Sequence, residues 1–237
     1  MQFPKLFLLT FFLTVLLFLS GCSPVDTSSC DDTIPSTEAE VMSKINCYRR
    51  LAAETLNPDV CDKIQQLAAE ATPPQAYPPT FFSQFSDACK LEIIYQSNTS
   101  SSRVCKSLAT PKIQGMCYSY VAVQSEDPFL CLKGAKLTDQ ELQGGSSFLE
   151  CFVTLAVKKN DMRFCNSILN YIDAEYFQLA YPDMPDSSLK DFEAYLPFDC
   201  LLSYAYQSKD PAACALTHEN RKDYCYQWMA NALEDES

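Results

Sequence analysis

The sequence is poor in the residues on which most chemistry at protein sites depends. It holds a single histidine, His218, and five glycines in 237 residues. One histidine excludes most Ser-His-Asp, Cys-His and His-rich metal constellations. Five scattered glycines leave no phosphate-cradling loop, and neither G-x-G-x-x-G nor G-x-x-x-x-G-K-S/T occurs. No C-x-x-C is present, which removes zinc-ribbon, thioredoxin-like and c-haem motifs. Positive charge is scarce as well, with 18 basic against 30 acidic residues, no basic run and a net charge of −12. Nucleic acid and bare anionic membrane are poor partners for such a chain. No cofactor and no metal site is expected.

There is one long apolar run, Leu6 to Leu19, broken only by Thr10 and Thr14. It is shorter than the roughly 20 apolar residues a spanning helix needs. Lys5 precedes it, and Leu19-Ser20-Gly21-Cys22 follows, so it reads as a secretory signal. The tetrapeptide resembles the lipobox of prokaryotic lipoproteins. That resemblance implies a diacylglyceryl thioether on Cys22, cleavage before it, and acylation of the new amino terminus. Everything from Ser23 onward is then extracytoplasmic, held at the cell membrane or outer membrane by lipid on Cys22. By analogy with Gram-negative sorting, Ser23 after the cysteine suggests the outer membrane. The alternative is a plain signal peptide with an incidental cysteine. The expected division is a signal peptide over 1–21, a Ser/Thr/Pro/Asp-rich tether over 22–36 and a cysteine-rich domain over 37–237.

Twelve cysteines remain after Cys22, an even number that in an exported chain reads as a disulfide framework. Cys47 to Cys61, Cys117 to Cys131, Cys151 to Cys165 and Cys200 to Cys214 are each fourteen residues apart, and Cys89 to Cys105 sixteen. The segments read CYRRLAAETLNPDVC, CYSYVAVQSEDPFLC, CFVTLAVKKNDMRFC and CLLSYAYQSKDPAAC, with CYQWMANALED as a further copy. Counting the first cysteine as zero, +5 is Ala52, Ala122, Ala156, Ala205 and Ala230. Position +10 is Asn57, Asp127, Asp161, Asp210 and Asp235; the Cys89 copy fits weakly, with Ile94 at +5.

Positions 0, +1, +4, +5 and +8 share one face of a helix, here called A. Asp or Asn at +10, with Pro at +11 in three copies, is an N-cap followed by a preset first helical residue. A second helix, B, is expected to start there, with the small +5 residue at the closest approach of A and B. Strand signals are poor, since no N-G or D-G dipeptide occurs. The expected fold is all-α, an irregular stack of disulfide-linked helical hairpins with loop insertions. It is similar in a general way to tetratricopeptide-like repeats, without their 34-residue period or Trp/Gly/Tyr signature.

Two pairings fit the spacing. In the preferred one each B cysteine joins the next A cysteine: Cys30–Cys47, Cys61–Cys89, Cys105–Cys117, Cys131–Cys151, Cys165–Cys200 and Cys214–Cys225. The rival keeps the fourteen-residue spacing and must join Cys30 to Cys225. A disulfide needs Cα atoms about 4.4–6.8 Å apart. Within one hairpin the two cysteines are offset by several residues along the axis, which favours the first scheme. Residues 71–80 read as a proline-rich connector, and 134–147, with Gly134, Gly144 and Gly145, as a flexible loop.

Candidates for function are few. His218 reads as a turn residue or, beside Glu219, as a general base. Asp31-Asp32 and Glu234-Asp235 lack a calcium-loop pattern and read as solvated termini. Asn98-Thr99-Ser100 fits a glycosylation sequon. The insertion 171–198 carries Tyr171, Tyr176, Phe177, Tyr181, Phe192, Tyr195 and Phe198; Tyr176, Phe177 and Tyr181 are its candidate partner-binding residues. The leading expectation is a membrane-anchored lipoprotein acting as a protein-binding or scaffold module. The alternative is an extracytoplasmic hydrolase acting on polysaccharide through a carboxylate pair. Mass spectrometry of the mature amino terminus is expected to show an acylated Cys22; an unmodified terminus elsewhere would refute the lipobox reading.

Overall fold

In the computed structural model, which describes residues 26–32, 34–70, 77–78, 80–142, 147–180 and 189–234, helices follow one another along the chain. Among the described residues no strand occurs. The α-helices are α1 (Ser28–Asp31), α2 (Glu38–Thr55), α3 (Asp59–Glu70), α4 (Phe81–Gln96) and α5 (Pro111–Ser125). Then come α6 (Pro128–Leu142), α7 (Ser147–Lys159), α8 (Ala174–Ala180), α9 (Leu189–Ser208) and α10 (Glu219–Glu234). The 3-10 segments Val104–Ser107, Met162–Tyr171 and Pro211–Leu216 alternate with them. Helices α2, α4, α5, α7, α9 and α10 are the A elements. The second cysteine of each unit lies in α3, α6 or one of the 3-10 segments.

The turn from A to B has one design. Position +9 holds a left-handed residue in five copies, Leu56 (φ 50°), Asn98 (48°), Glu126 (58°), Asn160 (50°) and Lys209 (54°), and none is glycine. The +10 N–H then reaches back to the +5 carbonyl: Asn57 to Ala52 (3.2 Å), Asp127 to Ala122 (3.0 Å), Asp161 to Ala156 (3.2 Å) and Asp210 to Ala205 (3.0 Å). This is the six-to-one bond of a Schellman ending. The +10 side chain next accepts the N–H of +12. Asn57 takes Asp59 (3.0 Å), Asp127 takes Phe129 (3.0 Å), Asp161 takes Arg163 (3.1 Å) and Asp210 takes Ala212 (2.9 Å). In the Cys89 copy Thr99 accepts from Ser101 at 3.3 Å, so the unit weakest in sequence keeps the left-handed corner and the cap, while the N–H groups of Ser97 and Asn98 bond to the Ile93 and Tyr95 carbonyls.

Three B elements are 3-10 rather than α. For two of them the next A cysteine stands only 12 and 11 residues beyond the B cysteine, at Cys105–Cys117 and Cys214–Cys225. So short a return has room for little more than one tight turn, the usual place for 3-10 geometry.

The A face forms the core. The +1 residues Tyr48, Tyr118, Phe152 and Leu201 are at most 2% exposed, and Ala52, Ala122, Ala156 and Ala205 at +5 are fully buried. The buried side chains fall into three hydrophobic centres in chain order. One is built on α2–α4, one joins α4 to α5 and the segment Val104–Ser107, and the largest runs from α5 to α10.

Six disulfides tie each B cysteine to the following A cysteine: Cys30–Cys47, Cys61–Cys89, Cys105–Cys117, Cys131–Cys151, Cys165–Cys200 and Cys214–Cys225. Their Cα separations lie between 5.4 and 5.8 Å. Eleven of the twelve half-cystines are buried, and Cys47 is half-buried. Cys30 brings α1, within the stretch read as a tether, onto α2. Tyr48 donates its hydroxyl to Asp31 at the same junction.

Gly134 is helical, not part of a loop. It lies within α6, and its backbone presses on Gly115 of α5. A Cβ on Gly115 would stand 2.3 Å from Thr138 Oγ1 and 2.6 Å from the Gly134 carbonyl oxygen; one on Gly134 would stand 2.7 Å from the Gly115 oxygen. The closest approach of this A–B pair is therefore at Gly115, about two turns before Ala122. Residues 71–76, 79 and 143–146 of the connector and loop lie outside the described residues.

This contact makes Gly134→Ala a sharp test. Overpacking costs about 1–3 kcal/mol, and helix propensity returns about 1 kcal/mol. Because the obstruction is backbone, a net loss of about 2 kcal/mol is expected, a fall in Tm of roughly 4–8 °C. Ala230→Leu, on the exposed face of α10, should stay within about 0.5 kcal/mol.

Candidate functional site

The residues singled out from the sequence divide sharply by position. Cys22 and Tyr181 lie outside the described residues. Tyr176 is the main correction, because it is only 2% exposed and cannot anchor a partner. Helix α8 lays it against α6 and α7, where its ring sits 5.6 Å from Phe148. Its hydroxyl donates to Asp139 Oδ2 at 2.7 Å, while Asp139 Oδ1 accepts from Ser147 Oγ at 2.5 Å. A buried carboxylate in α6 is thus satisfied by one hydroxyl from α8 and one from α7. Lys136 adds ion pairs to Asp173 (2.7 Å) and Glu175 (2.5 Å) at the start of α8. The Asp173 and Glu175 carboxylates, in that order, raise the lysine above its ordinary range. Phe177 is half-buried. Tyr171 packs on Phe129 and Phe152. The front of the aromatic insertion is packing.

Exposed aromatic surface lies instead along α9 and α10. Tyr195, Tyr206, Tyr224 and Tyr226 are 49%, 43%, 57% and 43% exposed. Phe198 is buried between Tyr195 and Tyr224, with centroids at 6.2 and 6.1 Å. Tyr206 stands edge-on to Trp228 at 5.4 Å. Tyr224 and Trp228 are one helical turn apart on α10, so the two groups share a side of that helix. The Arg221 guanidinium lies 4.3 Å from the Tyr195 ring centroid and 4.8 Å from that of Phe198. Its Nη1 is buried without a hydrogen-bond partner. Asp199 is the neighbouring carboxylate: burial pushes it above the usual range, and the Arg221 charge draws it back.

A cleft of about 250 Å³ opens beside this seam, lined by Asn166, Pro197, Phe198, Leu201, Leu216, Thr217 and His218. His218 occupies the turn before α10, where its carbonyl accepts the Arg221 N–H at 2.8 Å. A second, open groove between α2 and α4 holds Asn46, Arg49, Arg50, Glu54 and Glu92. Glu92 is tied there to Arg49 at 3.2 Å. Among the described residues no helix is long and apolar enough to cross a membrane. No group of three or more potential ligands is placed to hold a metal ion among them.

Sequence reading placed Tyr195 and Phe198 in the aromatic insertion but missed Tyr206, Tyr224 and Trp228, which lie within or beside the repeat copies. Tyr226 stands at +1 of the CYQWMANALED copy, a position buried in four other copies. Among the described residues no B element follows α10, and the +1 and +5 positions of this copy are open.

Tyr176→Phe should leave Asp139 one hydrogen bond short and cost about 1–3 kcal/mol. Tyr176→Ala should cost about 3–5 kcal/mol. Both are checked by thermal denaturation followed by circular dichroism, and an unchanged Tm for the alanine variant would contradict the packing role. No family model, no curated protein and no solved structure matches this chain.

Proposed function

We propose that the protein is a lipid-anchored, extracytoplasmic lipoprotein that binds a protein partner through the α9–α10 seam. The observation that carries the binding role is the seam itself. It presents Tyr195, Tyr206 and Tyr224 to solvent beside Trp228 and the Arg221 guanidinium. Tyr, Trp and Arg are the residue types that dominate interface energetics. A ring already fixed by neighbours loses little freedom on binding. The export half of the proposal is supported by Leu19-Ser20-Gly21-Cys22 and by six disulfides, which persist in oxidising compartments.

A photo-crosslinking residue at position 224 or 206 should capture one discrete partner in intact cells, and one at position 43, on exposed α2, should not. Replacing Tyr195, Tyr206 and Tyr224 together by Ala should weaken capture about 30-fold or more, equivalent to about 2 kcal/mol, with Tm nearly unchanged. Capture that survives the triple change in a folded protein would refute the assignment.

A further inference from the structure

One sequence feature is left unused by the core and by the seam. Asn98-Thr99-Ser100 is the sole N-x-S/T tripeptide in the chain. The fold places its asparagine at +9 of the Cys89 copy, the outward corner of the A–B turn. The repeat itself reports what this corner tolerates, because the same position carries Leu56, Glu126, Asn160 and Lys209, all exposed. A side chain of any size is accommodated there, so a large substituent meets no packing.

The surroundings of Asn98 differ from those of the other corners. The Tyr120 hydroxyl shares its one proton between the Tyr95 carbonyl at 2.9 Å and Asn98 Oδ1 at 3.1 Å. The Tyr95 and Tyr120 rings lie 4.5 Å apart, and Tyr95 is 38% exposed. The amide oxygen takes part in that shared bond, and the aromatic pair lies at the root of the exposed asparagine. Sugars stack their apolar C–H faces on such rings. Thr99 is occupied as the cap, accepting from the Ser101 N–H, and Ser100, whose hydroxyl completes the tripeptide, is exposed.

We propose that Asn98 is a site of N-linked glycosylation, with the first sugar resting on the Tyr95–Tyr120 pair. The proposal rests on the extracytoplasmic reading, because the donor is a lipid-linked saccharide on the outer side of the membrane. Nδ2 attacks the anomeric carbon of that donor. The bond from that carbon to the phosphate oxygen breaks, a carbon–nitrogen bond forms, the polyprenyl phosphate or pyrophosphate leaves, and one amide proton passes to a base of the transferase. The oxygen of Asn98 remains available to accept from Tyr120.

The test uses full-length protein purified from the membranes of its own host. Trypsin releases residues 91–103 as one peptide between Lys90 and Arg103. Mass spectrometry should find it carrying a saccharide, and the mass increment should vanish in both Asn98→Gln and Ser100→Ala. An increment that survives Asn98→Gln would place the sugar on a serine and overturn the proposal. An unmodified peptide from protein with oxidised cysteines, open to protease added outside intact cells, would overturn the glycan and leave export standing. Protein that is shielded from that protease and carries free thiols would overturn both.

Discussion

At the end of four A helices the N–H of residue +10 bonds to the alanine carbonyl at +5, and the chain reverses around that point. The residue between, at +9, must take the left-handed conformation, which costs a non-glycine residue roughly 1–2 kcal/mol. The side chain at +10 offsets part of this by accepting the +12 N–H, a cap worth about 1 kcal/mol. Once the reversal is made, the +1 ring and the +5 methyl are turned into the same interior, and the B cysteine emerges at a fixed height. Each bridge to the next A helix adds about 3 kcal/mol in the loop-entropy account. The strain at the corners is therefore small beside the cross-links that the corners position.

Much of this was legible in the residues. The recurrence of cysteine, alanine and Asp/Asn at fixed offsets marks the A helix and its cap. The symmetry of Cys105 and Cys117 about Pro111 marks a B-to-A bridge. The left-handed residue was not legible, because its usual signature is glycine and here the position holds Leu, Asn, Glu, Asn and Lys. The corner and cap of the Cys89 copy were hidden because threonine replaces Asp/Asn as the cap and isoleucine replaces alanine. Gly134 looked like a loop residue beside Gly144 and Gly145. Its partner, Gly115, is nineteen positions away in sequence, and only the crossing of α5 and α6 shows why both lack a side chain.

Tyr176 and Tyr224 show the same limit at the candidate site. Both are tyrosines among carboxylates, and composition cannot separate them. What separates them is a long-range acceptor: Asp139, on another helix, takes the Tyr176 hydroxyl into the core, while Tyr224 meets the Phe198 ring on one side and stays 57% exposed. Repeat position carried more information than residue type. At +1 the rings of Tyr48, Tyr118 and Phe152 are interior, while that of Tyr226 is exposed.

The six bridges are consecutive along the chain, and none encloses or crosses another. Under tension applied between the first and last cysteines, load bypasses every bridged loop and runs only through the A–B turns that separate them. Those turns span fourteen or sixteen residues each. Even if every helix unwound, each could lengthen to no more than roughly 3.3–3.6 Å per residue, while the loops closed by Cys30–Cys47 and Cys165–Cys200, at sequence separations of 17 and 35, would add almost nothing. The molecule is in this sense a short-travel mechanical link, extensible in fixed increments and unable to unravel.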